Sequence, residues 1–233
     1  ILNFQGSTHR IGVGSFSKKL KKPQILINNA AKWTQEYCSC LASGKKPSDE
    51  ITSRYKEPTI KATLEKETHD KCAYCESKIK HITYGDIEHI LPKNKDARPD
   101  LYVEWTNLTL ACEQCNRSGK RTYYNPQLLL INPYTDDPEQ HFNDIGPLIM
   151  PVLGDSRAYV TRNVLKLNRA ALVERRIERI TLVEPLLILW ANEQTDGMKE
   201  ILEQQLHDEY SEDKEYSSTI KSYLKANGFP VRE

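Results

Sequence analysis

Four cysteines stand in two C-x2-C pairs, Cys72/Cys75 and Cys112/Cys115, with 36 residues between the pairs. A pair at that spacing grips an ion from a tight turn, and four thiolates fill a tetrahedral shell. Structural zinc suits this donor set. Iron in a redox site is the alternative, but electron transfer gives no reason for the polar residues between the pairs. Four protein ligands leave no position open to activate water, so zinc is expected to hold the module together without doing its chemistry. The other two cysteines, Cys38 and Cys40, have no His or Cys close by in sequence and read as buried reduced thiols.

Between the pairs lie Glu88-His89-Ile90-Leu91-Pro92-Lys93 and Trp105-Thr106-Asn107-Leu108, and Asn116 follows the second pair directly. A lone Glu-His pair on a short apolar strand usually means a hydrogen-bonded histidine beside a surface carboxylate. Here the pair has company. The string Cys72-x2-Cys75, Glu88-His89-Ile90-x-Pro92-Lys93, Asn107-Leu108, Cys112-x2-Cys115-Asn116, Lys120 resembles the HNH family of nucleases in its four-cysteine form. It departs from the family pattern in having Asn116 where the third residue is often His. The resemblance covers about a quarter of the chain and implies a ββα-metal fold, a hairpin and a helix clasping one divalent cation.

Phosphodiester hydrolysis needs water deprotonated, developing charge stabilised and the leaving oxygen neutralised. With that resemblance, His89 is the expected general base, with Asn107 fixing its ring. Glu88 and Asn116 are the expected oxygen ligands to Mg²⁺ or Mn²⁺. Neighbouring strand residues point to opposite faces, so Glu88 and His89 converge only if the strand bends, and Pro92 is well placed for that. Lys93, Arg117, Lys120 and Arg121 are the expected nucleic-acid contacts, the last three opening the helix after the second knuckle.

Ile131-Asn132-Pro133-Tyr134, Leu165-x-Leu167-Asn168-Arg169 and Leu172-Val173-x-x-Arg176 extend the resemblance to the Septu-type anti-phage subgroup, also found attached to some retrons. This implies a bacterial defence role with an SMC-like or ABC-type ATPase partner of the PtuA kind. The chain has no P-loop of its own, so ATP dependence would come from that partner. DNA is the favoured substrate. RNA, tRNA included, stays open because no motif that reads the 2′-hydroxyl is visible. A catalytically silent zinc module that binds nucleic acid or a protein is the remaining alternative.

These residues must be positioned by a chain of 233 residues, 38% hydrophobic and 28% charged, a globular composition. Its 33 basic and 32 acidic residues give a net charge of +1 that conceals a gradient. Residues 1–68 carry 12 basic and 6 acidic groups, residues 69–125 carry 9 and 8, and residues 126–233 carry 12 and 18. Three regions are expected: a basic N-terminal arm with helices (1–68), the nuclease module (69–125), and a Pro-rich connection leading to an acidic helical region suited to protein docking (126–233). The run Lys18-Lys19-Leu20-Lys21-Lys22 is a candidate phosphate-binding arm.

Helices are expected on both sides of Gly44-Lys45-Lys46-Pro47, with Ser48 capping one and Pro58 opening another. Further helices are expected after Asn168, which can cap the first of them, around 198–206, and over 212–226 before Gly228 and Pro230. The fold class is thus α+β, mainly α-helical, around a zinc-stapled ββα core. No apolar run approaches the roughly 18 residues of a membrane span. No secretory leader is visible, and clustered cysteines suit a reducing compartment, so the expected location is cytoplasmic. Phe4-Gln5-Gly6-Ser7 resembles a protease scar left by an expression tag.

Overall fold

The computed structural model describes residues 18–80 and 84–232, so the tag-like stretch at 4–7 lies outside the described residues. The architecture is α+β and mainly helical, with two small antiparallel hairpins. Three helices lead in: α1 (Gln24–Ala42), α2 (Asp49–Ser53) and α3 (Pro58–Glu67). Their ends follow local chemistry. The Ser48 side chain accepts from the Ile51 amide, and Pro58 opens α3 behind Glu57, whose carboxylate accepts from the Thr59 and Ile60 amides.

The first hairpin pairs β1 (Asp86–His89) with β2 (Leu108–Ala111), placing Glu88 opposite Thr109 and His89 opposite Leu108. The helix that follows, Gln114–Lys120, is a single π-helical stretch rather than an α-helix. The segment is pinned at both ends. Cys115 belongs to the second knuckle, and the Arg121 amide bonds the Asn116 carbonyl at 2.7 Å, five residues back, with Arg121 itself at φ 53°. A Cβ on Gly119 would lie 3.0 Å from the carbonyl oxygens of Gln114 and Val164, so any other residue would push these backbones apart by a few tenths of an ångström.

Beyond the module come α4 (Pro138–His141), the hairpin β3 (Phe142–Ile145) and β4 (Leu148–Pro151), then α5 (Ser156–Val164), α6 (Ala170–Asn192), α7 (Asp196–Glu209) and α8 (Ser217–Ala226). Two expected helix starts are displaced. Asn168 does not cap α6, because its amide is committed to the backbone of Ile149, accepting from the N–H at 2.9 Å and donating to the carbonyl at 2.8 Å. The last helix starts at Ser217, since Tyr216 takes φ 53° and buries its ring with its hydroxyl 2.8 Å from Ser77 Oγ.

One core runs from Leu26 of α1 and Leu64 of α3 through Leu108 and Leu110 of β2 to Leu165, Leu167 and Leu172. A second, smaller one gathers Val183 and Leu187 of α6, Leu206 of α7, and Ile220 and Leu224 of α8. The N-terminal lysine run is partly embedded in the first. Lys19 Nζ sits 3.0 Å from Glu67, 4.1 Å from the Trp105 ring centre and 4.4 Å from that of Tyr134. Burial lowers its pKa to about 8 despite the Glu67 charge. Lys19 is therefore a structural plug rather than a solvated phosphate contact, while Lys18 and Lys21 remain exposed. Among the described residues no helix is long and apolar enough to cross a membrane.

Candidate active site and metal centre

The metal centre is built by two turns brought together by β2. In the first knuckle the Glu76 amide bonds the Cys72 carbonyl at 2.9 Å, and the Ala73 amide bonds Leu110 of β2 at 3.0 Å. The second knuckle continues from the end of the same strand. All four sulfurs lie within 4.8 Å of one another, and Cys75 Sγ is 3.8 Å from Cys112 Sγ. A tetrahedron with Zn–S bonds of about 2.3 Å has S···S edges of about 3.8 Å, so the donor set and its spacing fit zinc. Cys38 and Cys40 are half-buried and take no part in this cluster.

Sequence reading gave Arg169 no role at the metal. Its guanidinium reaches from the corner between α5 and α6 to within 3.7 Å of Cys115 Sγ, 3.8 Å of Cys75 Sγ and 3.9 Å of Cys112 Sγ. Four thiolates around Zn²⁺ carry a net −2, and Arg169 offsets part of it.

Glu88, His89, Lys93, Asn116, Lys120 and Arg121 line a single cleft of about 260 Å³. Thus Glu88 and His89 reach one cavity although they are neighbours on β1. His89 is 6% exposed, and its Nε2 is 2.8 Å from the Tyr102 carbonyl oxygen. A carbonyl only accepts, so Nε2 carries the ring proton and Nδ1 keeps the lone pair. Burial, reinforced by the charges of Lys93 and Lys120, holds the His89 pKa well below its ordinary value, so the imidazole is neutral.

Asn107 does not orient this ring. It clamps the loop after β1 instead, accepting from the Leu91 amide at 2.8 Å and donating to the carbonyls of Leu91 at 2.9 Å and Leu101 at 3.3 Å. It therefore acts on the backbone next to Tyr102, whose carbonyl does the orienting. A backbone carbonyl leaves no signature in residue types.

Lys120 also differs from expectation. It is 2% exposed, with Nζ 2.5 Å from Glu88 Oε1 and 2.8 Å from the His89 carbonyl oxygen. It forms a buried pair with Glu88 of β1 and does not present its charge to solvent. Burial raises the Glu88 pKa and Lys120 counters it. Lys93 lies over the Tyr55 ring at 4.2 Å, its pKa lowered to about 8 by burial although Glu88 pulls the other way. Asp86 organises the opposite wall, taking Arg117 in a bidentate pair at 2.8 and 2.7 Å and the Asn116 side-chain N–H at 3.1 Å. That bond fixes the Asn116 amide by its nitrogen and leaves its oxygen available. Arg117 and Arg121 are exposed.

Residues 72–121, the span from the first knuckle to the end of the π-helical stretch, match the family model described as HNH endonuclease. The chain thus carries an HNH endonuclease domain. It is 34% identical over 153 residues to the Septu protein PtuB of Bacillus thuringiensis, covering 65% of this chain and 54% of that protein. With the Septu protein PtuB of Bacillus mycoides it shares 30% identity over 188 residues, 63% of each chain. A third match, 29% identical over 162 residues, is the Septu protein PtuA of Bacillus mycoides, covering 58% of this chain and 23% of that protein. The chain spans between half and two thirds of the length of the PtuB relatives it matches. No solved structure matches it significantly.

Proposed function

We propose that the chain is a metal-dependent endonuclease that hydrolyses phosphodiester bonds, DNA in the first instance, with His89 as general base. The observation that carries this reading is the tautomer of His89. A buried imidazole with its Nε2 proton held by a backbone carbonyl keeps a lone pair on Nδ1, the state a base needs at neutral pH. In the step, a water oxygen attacks phosphorus, its proton passes to Nδ1, and the bond to the leaving oxygen breaks. Arg121 and Arg117 hold the flanking phosphates, and Tyr102 keeps the ring from turning. The hard oxygens of Glu88 and Asn116 suit Mg²⁺ or Mn²⁺, and such an ion supplies charge stabilisation at the phosphoryl and leaving oxygens when bound.

A role in anti-phage defence with a PtuA-like ATPase partner is part of the proposal. It is supported by similarity to two proteins named PtuB and by a segment of this kind inside one named PtuA. With no ATP-binding loop in this chain and an acidic helical region beyond the module, the partner would dock on the C-terminal helices and act in the cytoplasm. The test incubates the purified chain with labelled DNA and with tRNA, with and without Mg²⁺ or Mn²⁺, alone and with a PtuA-like ATPase. Metal-dependent cleavage lost in His89→Ala supports the reading. Cleavage unchanged in His89→Ala defeats it in favour of a zinc-bearing binding module.

A further inference from the structure

A second cleft of about 580 Å³ adjoins the catalytic one and shares Tyr55, Ile87 and Asn116 with it. Its outer wall is formed by Tyr55, Lys56 and Lys61 from the N-terminal helical region, outside the HNH match at residues 72–121. Two features at this wall and its mouth stand out, beyond the Lys56 Nζ contact with the Tyr55 ring at 5.8 Å. Lys56 and Lys61 line it, yet neither has a carboxylate within 4.0 Å among the described residues, whereas Arg117 across the cleft is matched by Asp86. Tyr84, beside the lining residue Gly85, is 89% exposed, so its ring is open to a stacking partner, and Lys61 Nζ lies 5.9 Å from its centre. At the inner end, the half-buried Tyr55 stands edge-on to His89 at 4.7 Å between ring centres. Unmatched cations and an open aromatic face leading to a general base make a graded path, from solvent at Tyr84 to the reacting position at His89.

We propose that this cleft is the track for an unpaired stretch of the substrate strand, with Lys56 and Lys61 holding its phosphates and Tyr84 stacking on a base. A duplex hides its base faces in its own stack, so an exposed tyrosine gains a partner only from an unpaired base. The lysines supply affinity without sequence preference. The proposal rests on the nuclease reading for the destination of the strand and adds the class of substrate, a nucleic acid with a single-stranded segment at the cut.

The test uses the full chain carrying His89→Ala, so that binding is read without cleavage, and fluorescence anisotropy with three probes: oligo(dT), oligo(U) and the oligo(dT)·oligo(dA) duplex. At least one single strand is expected to bind more tightly than the duplex, and which one it is assigns the sugar. Replacing Lys56 and Lys61 together by Ala should flatten the plot of log K against log salt by about 1.4 for that single strand, about 0.7 for each phosphate that is no longer neutralised. Tyr84→Ala should weaken it about tenfold, with Tyr84→Phe restoring it and the duplex unaffected. Zinc content at the parent level verifies that each variant is folded. An unchanged salt slope in the lysine variant, or an equal loss for duplex and single strand in Tyr84→Ala, overturns the proposal. Because the readout is binding by an inactive variant, failure of the wild type to cleave would sink the nuclease reading and leave this result standing.

Discussion

Replacing Lys120 by methionine separates two roles that a lysine in this motif could have. If it met phosphate, its loss would weaken nucleic-acid binding and lower the salt slope by about 0.7 to 0.9. The structure places Nζ 2.5 Å from Glu88 Oε1, with the two side chains only 2% and 6% exposed. Coulomb's law at that distance, with an effective dielectric of about 20, gives a gross attraction of about 7 kcal/mol. Desolvation of both ions consumes much of it, and removing one partner from a buried pair costs about 3–5 kcal/mol because the other is stranded. Lys120→Met is therefore expected to lose about 4 kcal/mol of unfolding free energy while the salt slope of DNA binding stays at the parent value. Adding Glu88→Gln removes the stranded charge, so the double variant should recover more than half of the loss. Urea unfolding at neutral pH, run as a double-mutant cycle, measures both quantities. A loss under about 1 kcal/mol together with a flattened salt slope would refute the buried pair and return Lys120 to the substrate surface.

The four cysteines should bind one zinc per chain. Elemental analysis of Cys112→Ser should show its loss, together with unfolding of the hairpin by circular dichroism, because metal binding and folding are coupled. His89→Ala should cut the cleavage rate by about 10² to 10⁴ with DNA affinity and zinc content unchanged, and single-turnover cleavage assays measure it. The Lys19 pKa, lowered to about 8 from 10.5, makes the folded chain bind fewer protons than the unfolded one between those values. Stability should therefore rise with pH across that window, and Lys19→Met should reduce the rise, leaving a part that comes from Lys93, whose pKa is lowered in the same direction. Urea midpoints at pH 8 and 10.5 check this, and a rise of the same size in Lys19→Met would count against the plug.

The metal centre and the helix starts were legible because their chemistry is local. Two C-x2-C pairs announce a four-sulfur site wherever the rest of the chain goes, Ser48 accepts from an amide three residues on, and Pro58 opens its helix through its own fixed φ. What was illegible depends on distant partners. Lys120 looks like a surface charge until β1 is laid over it, and the carbonyl that orients His89 belongs to Tyr102, a residue whose type is irrelevant to that bond. Asn107 stands in the motif, but its amide holds the loop backbone rather than the ring. Arg169 lies 54 residues from Cys115 along the chain, and nothing in its neighbourhood suggests sulfur. Asn168 reads as a cap because asparagine caps helices, yet the nearer demand is the edge of β4.

The Arg169 contact also bears on how the chain can be divided. A fragment ending at residue 125 would retain every thiolate and the whole HNH match, but would lack the only guanidinium among the described residues that touches the cluster's sulfurs. It would also lack Val164 and Leu165, against which Gly119 lies. The HNH match at residues 72–121 is therefore shorter than the stretch that supplies the cluster's nearest counter-charge. Expressed alone, the excised module would hold its zinc with an uncompensated double negative charge and compete poorly with any chelator in the medium.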